Sequence, residues 1–296
     1  MLHPTIDRPG ARLREMMKQG IVVMPGVFNP ISAISAAKAG AKALYLSGAG
    51  ITNAGLGVPD IALATLSEFT QTATAINQVV NIPVLSDADT GFGESLNVRR
   101  TVIDLERSGL AGIHLEDQVS PKRCGHLDGK SVIEVANMVA KIKAAVASKR
   151  DESFIICART DARGVEGLEA AMDRAKAYVQ AGADAVFPEG LADEKEFESF
   201  RSAVDVPLLA NMTEFGKTPI ISSARFGELG YQMVIYPMTG FRVMLRALDD
   251  CYSELLATGT QANMLEKMRT RKELYELIDY SEYDHFDSSM SRKTCD

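Results

Sequence analysis

Asp87 and Asp89 stand two positions apart and are followed by Gly91 and Gly93, the first pattern in this sequence that could do chemistry. On a regular strand both carboxylates would face the same side, and the glycines would let the backbone turn sharply after them. Two like charges that close favour a cation between them, although a solvated acidic turn would show the same residues. Few carboxylates and no soft ligands suit Mg2+, or Mn2+, whose shell is completed by water and by oxygens of a bound acid. Glu116 is then the natural carboxylate to hold metal-bound water. A second pattern, Lys122-Arg123-Cys124-Gly125-His126, surrounds one thiol with three side chains that are or can become cationic, a setting that favours the thiolate. Arg159 offers a planar fork that matches a carboxylate. Gly48 and Gly50 free backbone N–H groups to approach an anion. A cation, several anion donors and a poised thiol point to a small polycarboxylate.

These groups need a scaffold, and the sequence repeats one unit: a helix that ends at glycine, then a short apolar run. It occurs as Ala39-Gly40 before 43–47, Ser108-Gly109 before 112–116, Ala181-Gly182 before 185–189 and Leu229-Gly230 before 233–236. A glycine there stops the helix, and a continuous apolar run suits a parallel strand covered on both faces. Further runs at 21–24, 83–87, 154–159 and 207–211 bring the candidate strands to eight. Amphipathic stretches lie between them. In the fourth, Val132, Val135, Val139, Ile142 and Val146 fall on one helical face. The pattern predicts an α/β protein, a (β/α)8 TIM barrel, with an open doubly wound sheet as the alternative. Barrel sites collect at the C-terminal strand ends, and six of the eight carry polar groups: Ser47-Gly48-Ala49-Gly50, Asp87-Ala88-Asp89, Glu116-Asp117, Arg159-Thr160-Asp161, Glu189 and Asn211-Met212-Thr213.

Two segments fall outside the units: an extra N-terminal helix within 1–20 and a C-terminal helix over 261–280, either a cap on the barrel or an arm on a neighbouring subunit. Residues 281–296 are polar and are expected to be a flexible tail. The chain of 296 residues, 46% hydrophobic and 24% charged, fits one barrel domain over 1–296. Its net charge of -7 argues against nucleic acid. The N-terminus lacks a continuous apolar stretch, no run suits a membrane span, and four scattered cysteines suit a reducing, cytoplasmic setting. Cys157 within a strand and Cys251 beside Leu248 and Leu255 are expected in the core.

The motifs Tyr45-Leu46-Ser47-Gly48, Gly57-Val58-Pro59-Asp60, Asp87 to Gly93, His114-Leu115-Glu116-Asp117-Gln118, the loop Lys122 to His126, Ala158 to Asp161, Phe187-Pro188-Glu189 and Asn211 to Phe215 occur in one order over nearly the whole chain. In this the sequence resembles the isocitrate lyase and phosphoenolpyruvate mutase superfamily, and within it most closely the branch that cleaves methylisocitrate. The resemblance implies a barrel whose eighth helix is exchanged between subunits, a homotetramer, and Mg2+ near Asp87 and Asp89. It implies substrate contacts from Ser47, Gly48, Ala49, Cys124, Gly125, Arg159, Glu189, Asn211, Met212, Thr213, Arg242 and Arg271. Mutases and hydrolases of the superfamily lack the loop cysteine, which favours a carbon–carbon lyase. Arg123, the modest length and the Phe187-Pro188 pair favour the methylated tricarboxylate over isocitrate. The expected chemistry is a retro-aldol cleavage to pyruvate and succinate, with Cys124 as proton donor and Arg159, His126, Asn211 and Thr213 steadying the succinate fragment. Lys122 belongs to the catalytic loop, and Tyr45, Asp60 and Glu189 are candidate bases for the C2 hydroxyl. The rivals are isocitrate or another oxyacid as substrate, phosphonate chemistry, and a barrel that binds metabolites without turnover.

Overall fold

The computed structural model describes residues 6–125 and 129–291, so His126 and Cys295 lie outside the described residues. Eight strands form one sheet: β1 (Val22–Val27), β2 (Leu44–Leu46), β3 (Val84–Asp87), β4 (Gly112–Glu116), β5 (Ile155–Thr160), β6 (Ala185–Pro188), β7 (Leu209–Asn211) and β8 (Met233–Tyr236). All seven ladders are parallel, in the order β6-β5-β4-β3-β2-β1-β8-β7. The ends of that row meet at a parallel bridge between Val186 and Leu208, where Val186 N–H donates to Pro207 O at 3.0 Å. That contact closes the sheet into a (β/α)8 barrel and rules out the open alternative. One helix follows each strand, in order Pro30–Lys38, Leu66–Asn77, Ser95–Arg107, Val135–Val146, Leu168–Gln180, Glu194–Ala203, Ser223–Glu228 and Thr239–Thr258.

Local chemistry accounts for the punctuation. Gly40, Gly109, Gly182 and Gly230 all take positive φ, from 81° to 103°, at the four predicted helix ends, a conformation that costs glycine nothing. The helix after β4 starts at Val135, three residues later than the periodicity placed it, and Val132 instead pairs with Gln118 in an isolated bridge.

The barrel interior is filled by Met24, Tyr45, Leu85, Cys157, Phe187, Leu209 and Ile235, and Leu13 and Met17 of the N-terminal helix Pro9–Gln19 belong to the same cluster. That helix is the predicted extra element, and it seals the floor. A Cβ at Gly10 would lie 2.4 Å from Ser153 O, so only glycine lets the helix approach this closely.

The other end of the chain departs from expectation in three ways. No residue of the helix Thr239–Thr258 is buried, and Val243, Leu245, Tyr252 and Leu256 are exposed. Cys251 is therefore only half-buried and not a core residue, because its helix meets the rest of this chain only in part, as where the Phe241 ring lies 5.5 Å from that of Phe28. Residues 261–280 are not one helix: a 3-10 turn, Ala262–Lys267, gives way to a helix, Arg271–Leu277. The break follows from Thr270, whose hydroxyl and Glu273 form a capping box that starts a new helix. Beyond Asp279, at φ 52°, the segment expected to be a flexible tail is helical over Tyr280–Ser291. Among the described residues no helix is long and apolar enough to cross a membrane.

Beneath the mouth, Asp117 joins β4, β5 and the helix Leu168–Gln180. Its carboxylate accepts from Thr160 Oγ1 and Tyr178 OH, each at 2.8 Å, and from Asp161 N–H at 2.9 Å, while Arg174 Nη1 lies 3.6 Å away. All of this is buried, so losing the acceptor strands its donors in a dry setting. Asp117→Ala should cost about 2–4 kcal/mol and lower Tm by roughly 5–10 °C. A thermal scan in which the variant melts with the unsubstituted chain would refute this account of the network.

Candidate active site

The C-terminal strand ends surround a cavity of about 690 Å³. Of the residues singled out from the sequence, Tyr45, Ser47, Ala49, Asp60, Asp87, Lys122, Cys124, Gly125, Arg159, Glu189, Asn211, Thr213 and Arg242 line it. Asp89 and Glu116 stand just outside the wall. Gly48 lies behind it, where a Cβ would come within 2.6 Å of Asp87 Oδ2, so glycine here makes room for the carboxylate. Met212 does not line the cavity: its side chain is buried among the apolar residues of the helix layer, and its sulfur accepts from Ile221 N–H at 3.3 Å. Arg271 is exposed on the C-terminal helix and does not line the cavity of its own chain.

Arg159 is the electrostatic centre. Its Nε and Nη2 donate to Asp161 at 2.9 and 3.2 Å, Nε lies 3.3 Å from Glu116 Oε2, and Nη2 lies 3.5 Å from Glu189 Oε2. Burial disfavours its charge, but Asp161, Glu116 and Glu189 outweigh that and raise its pKa well above the usual arginine value. The guanidinium also sits 5.0 Å from the centre of the Phe187 ring, which fixes its plane. Asn211 Nδ2 reaches both Glu189 oxygens, at 3.2 and 3.4 Å, and its own Oδ1 is buried with no hydrogen-bond partner among the described residues.

Across the mouth, Asp87 ends β3 and its Oδ1 accepts from Asp89 N–H at 2.9 Å. The two aspartates are not the strand pair that alternation implied. Asp89 lies beyond β3 with φ 45°, and its Oδ1 lies 3.1 Å from Lys122 Nζ. Lys122 also donates to Asp60 at 2.5 Å, so its charge is directed at two carboxylates rather than at the neighbouring thiol. Burial pushes the Asp89 carboxyl up to about 7 against the pull of Lys122. Asp87 is held low: burial works against its charge, and His114, Lys122 and Arg159 reverse the effect.

These groups fit a divalent cation. Among the described residues no three His, Cys, Asp or Glu side chains gather closely enough to enclose an ion by themselves. Mg2+ does not need such a cage, because it takes one or two carboxylates and keeps its water. Asp87 supplies a buried, low-pKa carboxylate on the cavity wall, and Glu116 Oε1 is buried with no hydrogen-bond partner among the described residues. An oxygen left so is costly unless something meets it.

Tyr45 OH and His114 Nε2 are 2.8 Å apart beneath Asp87. Burial pushes His114 down to about 4, so the imidazole is neutral at pH 7, and it raises Tyr45 well above the usual phenol value. Tyr45 is thereby a holder of its proton and a poor base. His114 went unassigned from the sequence, although a histidine inside an otherwise apolar strand is a visible signal. Asp161 was likewise unassigned; it stands just beyond β5, two positions after Arg159.

Cys124 is a free, exposed thiol on the cavity wall, and the backbone beside it is tightly seated. A Cβ at Gly125 would lie 2.4 Å from Glu189 Cγ and 2.7 Å from Arg159 Nη2, so only glycine allows the thiol loop to touch both. Arg242, held to Glu214 by bonds of 2.6 and 2.9 Å, closes the far side.

Comparison with known proteins extends these findings. The phosphoenolpyruvate phosphomutase family model matches residues 13–256. A protein of Aeropyrum pernix named 2-methylisocitrate lyase is 53% identical over 289 residues, 97% of this chain and 93% of its own. Curated relatives named for the same activity range from 42% to 53% identity over most of the chain. Among solved structures, 2,3-dimethylmalate lyase aligns with a TM-score of 0.91 at 33% identity, covering 97% of this chain and 96% of its own. Phosphonopyruvate hydrolase, solved with oxalate and Mg2+, aligns with a TM-score of 0.85 at 26% identity over 95% of this chain and 98% of its own. The chain belongs to the phosphoenolpyruvate mutase/isocitrate lyase superfamily and is a lyase within it.

Proposed function

We propose that this enzyme cleaves 2-methylisocitrate to pyruvate and succinate. The observation that carries the reading is a free thiol, Cys124, on the wall of a cavity that also holds Asp87, the buried Arg159 and the amide of Asn211. Asp87 would hold a divalent cation, Mg2+ or Mn2+, with Asp89 and Glu116 steadying its water. Such an ion, when bound, supplies Lewis-acid polarisation of the substrate's hydroxyl and neighbouring carboxylate.

The bond changes follow from the substrate. The C2 hydroxyl loses its proton, the C2–C3 bond breaks, C2 becomes the ketone carbon of pyruvate, and the electron pair passes from C3 into the carboxylate of the succinate fragment. Arg159, Asn211 and Thr213 donate to that developing charge from fixed positions in a largely dry mouth. Cys124 Sγ–H gives its proton to C3, completing succinate. Tyr45 keeps its own proton, which leaves Asp60 and Glu189 as the wall carboxylates for the hydroxyl proton. Phe187, Ile235 and Met238 add the apolar surface that a methyl group needs.

The uncovered helix Thr239–Thr258 supports assembly into a homotetramer in which it packs on a neighbouring subunit. A working thiol must stay reduced, which fits the cytoplasm.

A coupled pyruvate assay on 2-methylisocitrate should show turnover that EDTA abolishes and Mg2+ restores, and kcat/KM for isocitrate, followed through its own product glyoxylate, should be lower by about 10-fold or more; absence of pyruvate with every divalent metal would defeat the substrate assignment. Cys124→Ser should lower kcat by about 10²–10⁴-fold with KM little changed, the mark of a lost proton donor, and a variant of near-normal kcat would remove the thiol from the mechanism. Leu256→Asp places a charge on the exposed apolar face and should shift the sedimentation coefficient toward smaller species. An unchanged assembly would place the interface elsewhere.

A further inference from the structure

Lys130 lies outside every motif discussed so far, yet its side chain is only 4% exposed. Its Nζ lies 3.0 Å from Asp161 Oδ1 and donates to the carbonyl of Gly125. Burying an amine is costly unless a charge and hydrogen bonds compensate, and here the compensation comes from one carboxylate and one loop carbonyl. The carboxylate is the one that orients Arg159, with Oδ1 shared between Lys130 and Arg159 Nη2.

The residue on the other side of the thiol is held too. Gln118 Nε2 donates to Arg123 O at 2.8 Å, and its Oε1 accepts from Arg123 N–H at 2.9 Å. Cys124 is thus flanked by two fastened peptides, one tied to β4's end through Gln118 and one tied to β5's end through Lys130.

We propose that Lys130 is a positioning residue: by bridging Gly125 O and Asp161 it sets the thiol-bearing peptide in register with Arg159, so that donor and anion-binding group are fixed to the same carboxylate. The effect on turnover rests on the reading of Cys124 as proton donor; the effect on the thiol itself does not. Arg159 keeps its two bonds to Asp161 without Lys130, and Asp161 keeps its own anchor on Asp117. Loss of Lys130 should therefore misplace the thiol rather than the substrate.

The test uses the full chain as Lys130→Met and Lys130→Arg. It measures Tm, kcat and KM on 2-methylisocitrate, and the rates at which iodoacetamide alkylates Cys124 and Cys251, read by peptide mass spectrometry. In folded Lys130→Met, kcat should fall about 100-fold with KM within about threefold, Cys124 should react at least about fivefold faster while Cys251 is unchanged, and Lys130→Arg should recover part of kcat. Unchanged alkylation of Cys124 in folded Lys130→Met would overturn the proposal, and so would equal acceleration at both cysteines, which marks general loosening. If no form turns over 2-methylisocitrate but Cys124 alone still reacts faster in Lys130→Met, the positioning contact stands and the substrate assignment falls.

Discussion

A buried guanidinium on the cavity wall is the constraint around which the mouth of this barrel is organised. An ion in that position must be matched by opposite charge or it would unfold the site. Arg159 meets the requirement with Asp161, Glu116 and Glu189, contributed by three adjacent strands, β4, β5 and β6. Each of those acids then needs its own setting. Asp161 is fixed from below through its amide by Asp117 and from the side by Lys130, and Glu189 is met by Asn211. The arrangement is a chain of dependences, in which moving one member exposes the next as an unpaired buried charge.

Lys122 with Asp60 and Asp89 is a second, separate balance on the other side of the cavity. The two networks leave Asp87 between them, low in pKa and facing the cavity. Charge is thus concentrated at two poles with the thiol segment between them.

Much of this was legible in the sequence because it rests on local rules. Glycines at four helix ends and eight short apolar runs specify strands and helices directly, while closure is decided by the bridge between Val186 and Leu208. Polar residues at strand ends marked the mouth, since a buried strand end gives no other reason for Asp87, Glu116 or Arg159 to be there. What stayed hidden depends on non-local partners. The turn of Asp89 away from the strand is set by a single left-handed backbone angle, and strand alternation does not foresee it. Lys130 and Asp117 act across 31 and 44 positions to Asp161, distances at which spacing carries no signal. Cys251 looked like core because its neighbours are apolar, but apolar neighbours do not say how far a helix face is buried.

The stoppered floor carries one more implication. Leu13 and Met17 fill the base and side chains fill the bore, so among the described residues the barrel offers no back door. Traffic runs through a single opening, and whatever sits lowest must wait for what lies above it. For any reaction that yields two fragments, the architecture itself then dictates a departure order, with the deeper fragment last to leave.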